Sequence, residues 1–425
     1  MKETNRPPSK ALALAMAACL ATGGAPAHAD ALQVLHWWKS ASERKAVDLI
    51  AARLAEQDIG WRDGMVPSGS GAAAAIVLRS RMLAKDAPEV AQVNGIVIRD
   101  WARLDLLQNL DAVAQAGKWD KLLLPTVVSA IQSDGHVYAA PVGIHRMNNL
   151  YYNRKLFARA GVAAPNTWGE FERAAAKLLQ LGVTPLAQSS ESWQVAGLFE
   201  TLVLSEGAPF YRSLFLRRDP AAYADPRLAS ALNRLRSLKK WMGAPIAERT
   251  WDSGIRELAE GRAAMMVMGD WAKGELMARG LSVDDGFGCA TVPGTERWHL
   301  YNIDTLSMLA AREAHRGDQE KLAALIVTPA LQNDYNQIKG SIPVLRNAPV
   351  AKMDACARTS WKLFNSGLEA QVPSLVHRMA TDETVRDAIV AEVHRYFLDD
   401  SLSTAEAQRK LGTIARTNFP HKNVK

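Results

Sequence analysis

From residue 31 onward, short apolar runs alternate with longer stretches patterned for helices, and this alternation restricts the possible folds more than any other feature. Strands that feed helices in this way pack as α/β layers. Leu32 to Trp37 (LQVLHW) reads as the first strand. Ser40-Ala41-Ser42-Glu43 follows with the spacing of a capping box, in which a serine hydroxyl and a glutamate three positions later satisfy the free N–H groups of a helix start. The helix it opens carries Val47, Ile50 and Leu54 on one face. Pro88 to Val93 reads as another strand, Ile144 to Asn153 as a segment entering a new domain, and Ala263 to Met268 as a buried strand running into Gly269-Asp270-Trp271. Thr167 is placed to cap a helix from Trp168 to Leu181. At 425 residues the chain is too long for one core, so two domains are expected. Neither an internal repeat nor a low-complexity linker is visible, which fits two domains joined by several crossings of the chain.

The first thirty residues stand apart. Lys2, Arg6 and Lys10 are positive, Ala11 to Leu20 is a short apolar run, and Ala27-His28-Ala29 is a small-x-small cleavage pattern. Residues 1–29 therefore read as a signal peptide, with the exported chain beginning at Asp30. A rival lipoprotein-like box, Met16-Ala17-Ala18-Cys19, would instead place a lipid on Cys19. After residue 30 no run of about 18 uninterrupted apolar residues occurs, so a membrane-embedded chain is not expected. Losing the leader removes three positive charges and one negative, lowering the net charge from +7 to +5. That excess is scattered, without the basic stripe that a nucleic-acid partner requires. Cys289 and Cys356 then remain as an even pair, which an exported protein is expected to join; two unpaired buried thiols are the alternative. The bridge would close a loop of roughly seventy residues and contribute on the order of 4 kcal/mol.

Tryptophan outnumbers both other aromatics, with 12 Trp against 9 Phe and 8 Tyr. Indoles suit places where one face must be apolar and the edge polar. A sugar ring matches that need, since its axial C–H groups form an apolar face and its hydroxyls project around the rim. Trp61, Trp119, Trp168, Trp241 and Trp361 are expected to be core residues. Trp37 and Trp38 differ, because they sit where a strand ends and a capped helix begins, and ligands of open α/β domains bind at such carboxyl ends.

At this point the sequence resembles the periplasmic glucose- and mannose-binding proteins of ABC importers. The resemblance begins at His36-Trp37-Trp38-Lys39-Ser40-Ala41-Ser42-Glu43 and continues in order through Ile144-His145-Arg146, Ser192-Trp193-Gln194 and Met268-Gly269-Asp270-Trp271. It runs on through Phe287-Gly288-Cys289, Tyr301-Asn302-Ile303-Asp304, Lys339-Gly340-Ser341-Ile342-Pro343 and Ser374-Leu375-Val376-His377. Each motif is weak alone; their collinear order is strong. The resemblance implies a two-lobed α/β binding protein of the type II, venus-flytrap kind with three hinge crossings and a sugar in the cleft. Residues 30–142 with about 303–350 would form the N-terminal lobe, and 143–302 with about 351–425 the C-terminal lobe. Trp37, Trp38, Glu43, Asn94, His145, Trp193, Asp270, Trp271, Asp304, Lys339 and His377 would contact the sugar. Glu43 could equally complete the helix cap, Asp304 could be a turn residue, and Asp270 could cap a helix beginning at Trp271.

Several positions depart from the family pattern. Asn94 stands where a lysine is usual, Gly143 where Asn is usual, Asn149 replaces a Trp, and Gln188-Ser189-Ser190 replaces a His-Gly-Gly-like turn. Two of these shorten or delete a side chain, so a roomier pocket and an altered preference, extending to a longer or substituted sugar, are expected. Glu43, Asp270 and Asp304 could in principle supply paired carboxylates for glycoside hydrolysis. The chain has no nucleophile elbow, HExxH, P-loop or clustered metal ligands, so neither an enzyme nor a cofactor is expected. The expected partners are a small sugar and permease subunits of an ABC importer, served by a monomer; a membrane sensor is the alternative recipient.

Overall fold

The computed structural model describes residues 31–66, 71–243, 246, 249–283, 285–310 and 313–416. The proposed leader, Cys19 and the cleavage site lie outside them.

Two apolar cores organise these residues. Leu32, Val34, Ile50, Ile144, Ile303 and Leu306 belong to the first, and Leu150, Phe199, Tyr211, Met265, Leu300 and Val372 to the second. Membership switches between Ile144 and Met147, between Leu300 and Ile303, and between Phe364 and Val372. The two-lobed α/β architecture expected from the sequence is thus present. Met353, Ala357, Trp361 and Phe364 pack in the first core, whereas the resemblance places residues from about 351 in the second lobe. The reason is that the chain from Val344 through Met353 stays on the first core and the apolar face of the helix Ala355–Phe364 continues it.

The first lobe's sheet runs in the order Gln371–Pro373, His299–Met308, Val90–Gln92, Leu32–His36, Trp61–Met65, with Ala140–Arg146 also paired to the long strand. Leu32–His36 is parallel to both of its neighbours. A parallel strand covered on both faces needs a nearly continuous apolar run, which Leu32, Val34 and Leu35 supply. The long strand is antiparallel to Ala140–Arg146 and Val90–Gln92, and its register shifts between Asp304 and Thr305. The second lobe's sheet has the order Phe287–Thr291, Asn149–Asn153, Ala263–Met268, Thr184–Leu186. The segment read as one entry into a new domain is therefore two strands, Ala140–Arg146 and Asn149–Asn153, one in each sheet.

Both capping boxes form. Ser40 and Glu43 open the helix Ala41–Ala55, which buries Val47, Ile50 and Leu54; Thr167 and Glu170 open Trp168–Gln180. Across the lobe boundary, the helix Trp271–Ala278 lies against the end of Pro329–Lys339. A Cβ on Gly274 would stand 2.6 Å from the Lys339 carbonyl oxygen, and one on Gly340 2.3 Å from that of Asp270. Gly340 also ends its helix at φ +94°, a backbone open to glycine. Buried charges reinforce the contact. Glu275 accepts from both the N–H and the hydroxyl of Ser42 at 2.6 Å, and Lys273 donates to Asp354 at 2.6 Å. Cys289 and Cys356 form the expected disulfide, with Cα atoms 6.0 Å apart. Cys289 lies on the second lobe's edge strand and Cys356 packs against the same core, on a helix whose Ala357, Trp361 and Phe364 sit in the first, so the bridge fastens that helix to the second lobe.

Candidate functional site

The carboxyl end of the first strand, the register shift in the long strand and the start of the helix Trp271–Ala278 open onto one cleft between the lobes. Its empty space is about 870 Å³ including the mouth, within the range of small-molecule sites. Trp37, Trp38, Glu43, Asn94, Asp304 and Lys339 line it from the first lobe. Trp193, Trp271 and His377, together with Trp251, line it from the second. Two predicted residues, His145 and Asp270, do not reach the cleft wall; they are buried behind Asp304.

Asp304 is the hub. Register alternation puts Asn302 and Asp304 on one face of the strand, and the register shift beside Asp304 re-aims its carboxylate. Oδ1 accepts from Asn94 Nδ2 at 2.7 Å and Asn302 Nδ2 at 2.9 Å. Oδ2 faces Trp38 Nε1–H at 3.3 Å and His145 Nε2 at 3.2 Å. A carboxylate offers about four lone-pair positions, so protein donors fill this one. Asp304 lines the cleft and at the same time orients Trp38, Asn94 and Asn302. His145 Nδ1 meets Asp270 Oδ1 at 2.5 Å. Burial alone would lower the imidazole, but the two carboxylates overrule it and push its pKa up to about 9. Burial would likewise raise Asp304, yet the His145 charge holds it well below the usual carboxylate range. Asp270 does precede a helix, but its carboxylate turns to His145 and the Arg146 N–H, 2.9 Å away, and makes no cap.

Glu43 completes the helix cap and also holds Lys339 in the cleft. Oε2 accepts from the Ser40 hydroxyl and from the N–H groups of Lys39 and Ser40, completing the cap. Oε1 accepts from Lys339 Nζ at 2.6 Å inside the cleft. Burial would raise Glu43; the Lys339 ammonium and Ser40 outweigh it and lower the pKa. Lys339 is 2% exposed and uses one of its three N–H donors on Glu43. Asn302 Oδ1 is buried without a hydrogen-bond partner among the described residues. His377 Nδ1 lies 3.0 Å from Ser374 Oγ, whose own proton goes to Glu200. With Glu200 ionised, Nδ1 is the donor and the other ring nitrogen an acceptor. Burial, then the nearby Arg386 charge, lowers His377 to about 3, so the ring is neutral. On the second lobe, Trp271 packs against both Trp193 and His377, with ring centroids 6.2 and 5.5 Å apart.

The departures read differently in three dimensions. A Cβ at Gly143 would stand 2.3 Å from Asn336 Oδ1, so the buried Asn336 fills that space and Gly143 does not enlarge the cleft. Asn149 is buried and donates to the Arg146 carbonyl at 2.7 Å; Gln188 lines a smaller void behind Trp193. Asn94 alone of the four faces the cleft. Sequence reasoning missed Trp251, Arg378 and Arg386 on its wall, and gave Asn302 no binding role. The excess of tryptophan was a signal for Trp251; Arg378 and Arg386 gave none. The five tryptophans expected in cores lie away from the cleft, Trp119, Trp241 and Trp361 buried and Trp61 and Trp168 partly so.

Residues 42–314 match the family model described as bacterial extracellular solute-binding protein. A Rhizobium meliloti protein named as a probable sugar-binding periplasmic protein is 34% identical over 399 residues, covering 93% of this chain and 96% of the relative. One of the same name from Brucella suis is 33% identical over 412 residues, covering 95% and 97%. Among solved structures, a chitin oligosaccharide binding protein superposes with a TM-score of 0.77 at 18% identity, over 91% of this chain and 98% of that one. A maltose-bound MalE3 of T. maritima gives 0.75 at 18%, over 90% and 98%. These relatives are binding proteins and not enzymes, and the chain belongs to the bacterial extracellular solute-binding protein family.

Proposed function

We propose that the protein captures a sugar of hexose size, D-glucose or a close relative, in the interlobe cleft and delivers it to an ABC importer from the periplasm. The observation that carries this reading is the set of hydrogen-bonding groups left unspent beneath the indoles. Lys339 offers donors, while Asn302 Oδ1 and the His377 nitrogen offer acceptors. A sugar hydroxyl is donor and acceptor at once, so a site keeping both kinds free beside aromatic faces fits it. The relatives' names support the same class of ligand and compartment. In this reading residues 1–29 are removed after Ala29. Ligand joins the lobes because its contacts to both are complete only when they meet, a population shift toward the closed arrangement.

The test is a calorimetric and thermal-shift screen of ligand-stripped protein against hexoses, hexuronic acids, pentoses and disaccharides. Ligand at about a thousand times its Kd adds about 4 kcal/mol of stability, which a melting curve registers clearly. Asn302→Ala is expected to weaken the best ligand by about 1–2 kcal/mol. A panel that leaves the midpoint unmoved overturns the reading.

A further inference from the structure

We propose that Arg378 makes a carboxylate-reading subsite in the second lobe's wall of the cleft, so that the preferred ligand is a sugar acid of the hexuronate class; this rests on the cleft being a sugar site. Four observations converge on that residue. It lines the cleft at 8% exposure, and its Nη2 is buried with no hydrogen-bond partner among the described residues. A buried guanidinium N–H left unmade is costly, and native structures seldom tolerate one without a use. Its backbone sits at φ +64°, a left-handed conformation that favours glycine. The first lobe pins it there, since the Ile96 N–H donates to the Arg378 carbonyl at 3.1 Å.

Space has been left for the side chain. A Cβ on Gly71 would stand 2.8 Å from Arg378 Nη1 and 3.4 Å from the Trp37 ring, so a bare glycine lets the guanidinium lie beside that indole. The local charges do not balance. Arg378 Nε donates to Glu383 at 3.2 Å, but Glu383 is shared with Arg79. Arg386 is spent on the Val376 carbonyl and on Asp387, which is half exposed. Three guanidiniums therefore meet two carboxylates, and the unmatched donor edge belongs to Arg378. One such edge suits a carboxylate monoanion, which a guanidinium binds through charge-assisted hydrogen bonds, better than a phosphate dianion needing more donors.

Calorimetry of the mature protein with D-glucose, D-galactose, D-glucuronate, D-galacturonate and glucose 6-phosphate tests this, alongside Arg378→Gly. That substitution removes the guanidinium while placing at φ +64° the residue that backbone suits. One hexuronate should bind about tenfold to a hundredfold tighter than its neutral hexose. Arg378→Gly should bring that ratio to near one, whatever it does to affinity for the neutral hexose itself. A neutral hexose binding as tightly as its acid, an acid preference surviving in Arg378→Gly, or a preference for the phosphate each overturns the subsite while leaving the sugar site standing. Binding of none of the five overturns both.

Discussion

At Asp304 four groups converge on one buried carboxylate, and only a permanent negative charge can hold them. His145 behind it supplies the balancing cation, so this pair sets how the molecule responds to alkali. The imidazole's folded pKa of about 9 lies above its ordinary value of 6.5. Its stabilisation is therefore complete below about pH 6.5 and is lost as pH rises through 9. Unfolding in denaturant between pH 7.5 and 9.5 should show stability falling by about 2 kcal/mol, and His145→Gln should flatten that slope. Stability constant over this window removes the charged-histidine account. The window excludes Glu200, whose carboxyl burial pushes up to about 7 and whose effect is over by then. Glu200 holds the turn that carries His377 through Ser374 Oγ and the Leu375 and Val376 N–H groups.

Among elements, the helix Trp271–Ala278 has the most demanding position, for it brings Trp271 to the cleft while its backbone touches the other lobe. Gly274→Ala puts a methyl carbon against the Lys339 carbonyl where no flexible side chain can yield. It should wedge the lobes apart, weakening ligand binding at least tenfold, with the midpoint of the ligand-free protein moving by only a few degrees. Unchanged affinity would mean the helix shifts without consequence for the cleft. This element also shows what sequence could and could not disclose. The strand Ala263–Met268 was legible because its apolar run is local, and a helix beginning at Trp271 was open as one alternative, although Asp270 does not cap it. Glu43's dual role, the withdrawal of His145 and Asp270 behind the wall, and the filling of Gly143's space by Asn336 were not, because each depends on a partner more than a hundred residues away. Trp38 was legible as a cleft residue from its place at a strand end, whereas its tie to Asp304 depends on a register shift that no local pattern announces. Arg378 was invisible for the same reason: only the approach of Gly71 and the sharing of Glu383 with Arg79 make it unusual.

For the molecule as a whole, the disulfide constrains how the lobes relate. It ties the second lobe's edge strand to the helix of the first core, across a sequence separation of 67. Cys289→Ser with Cys356→Ser should lower unfolding stability by up to about 4 kcal/mol. It should also widen the distribution of interlobe distances in the ligand-free state, measured by scattering or paired spin labels. An unchanged distribution would limit the bridge to a global stabiliser. The loop that the bridge closes also contains the long strand His299–Met308 and the helix Pro329–Lys339. One covalent bond between two sulfurs therefore fences in the segment that carries Asp304 and Lys339, and the unfolded chain loses conformations in the very stretch that builds one wall of the cleft.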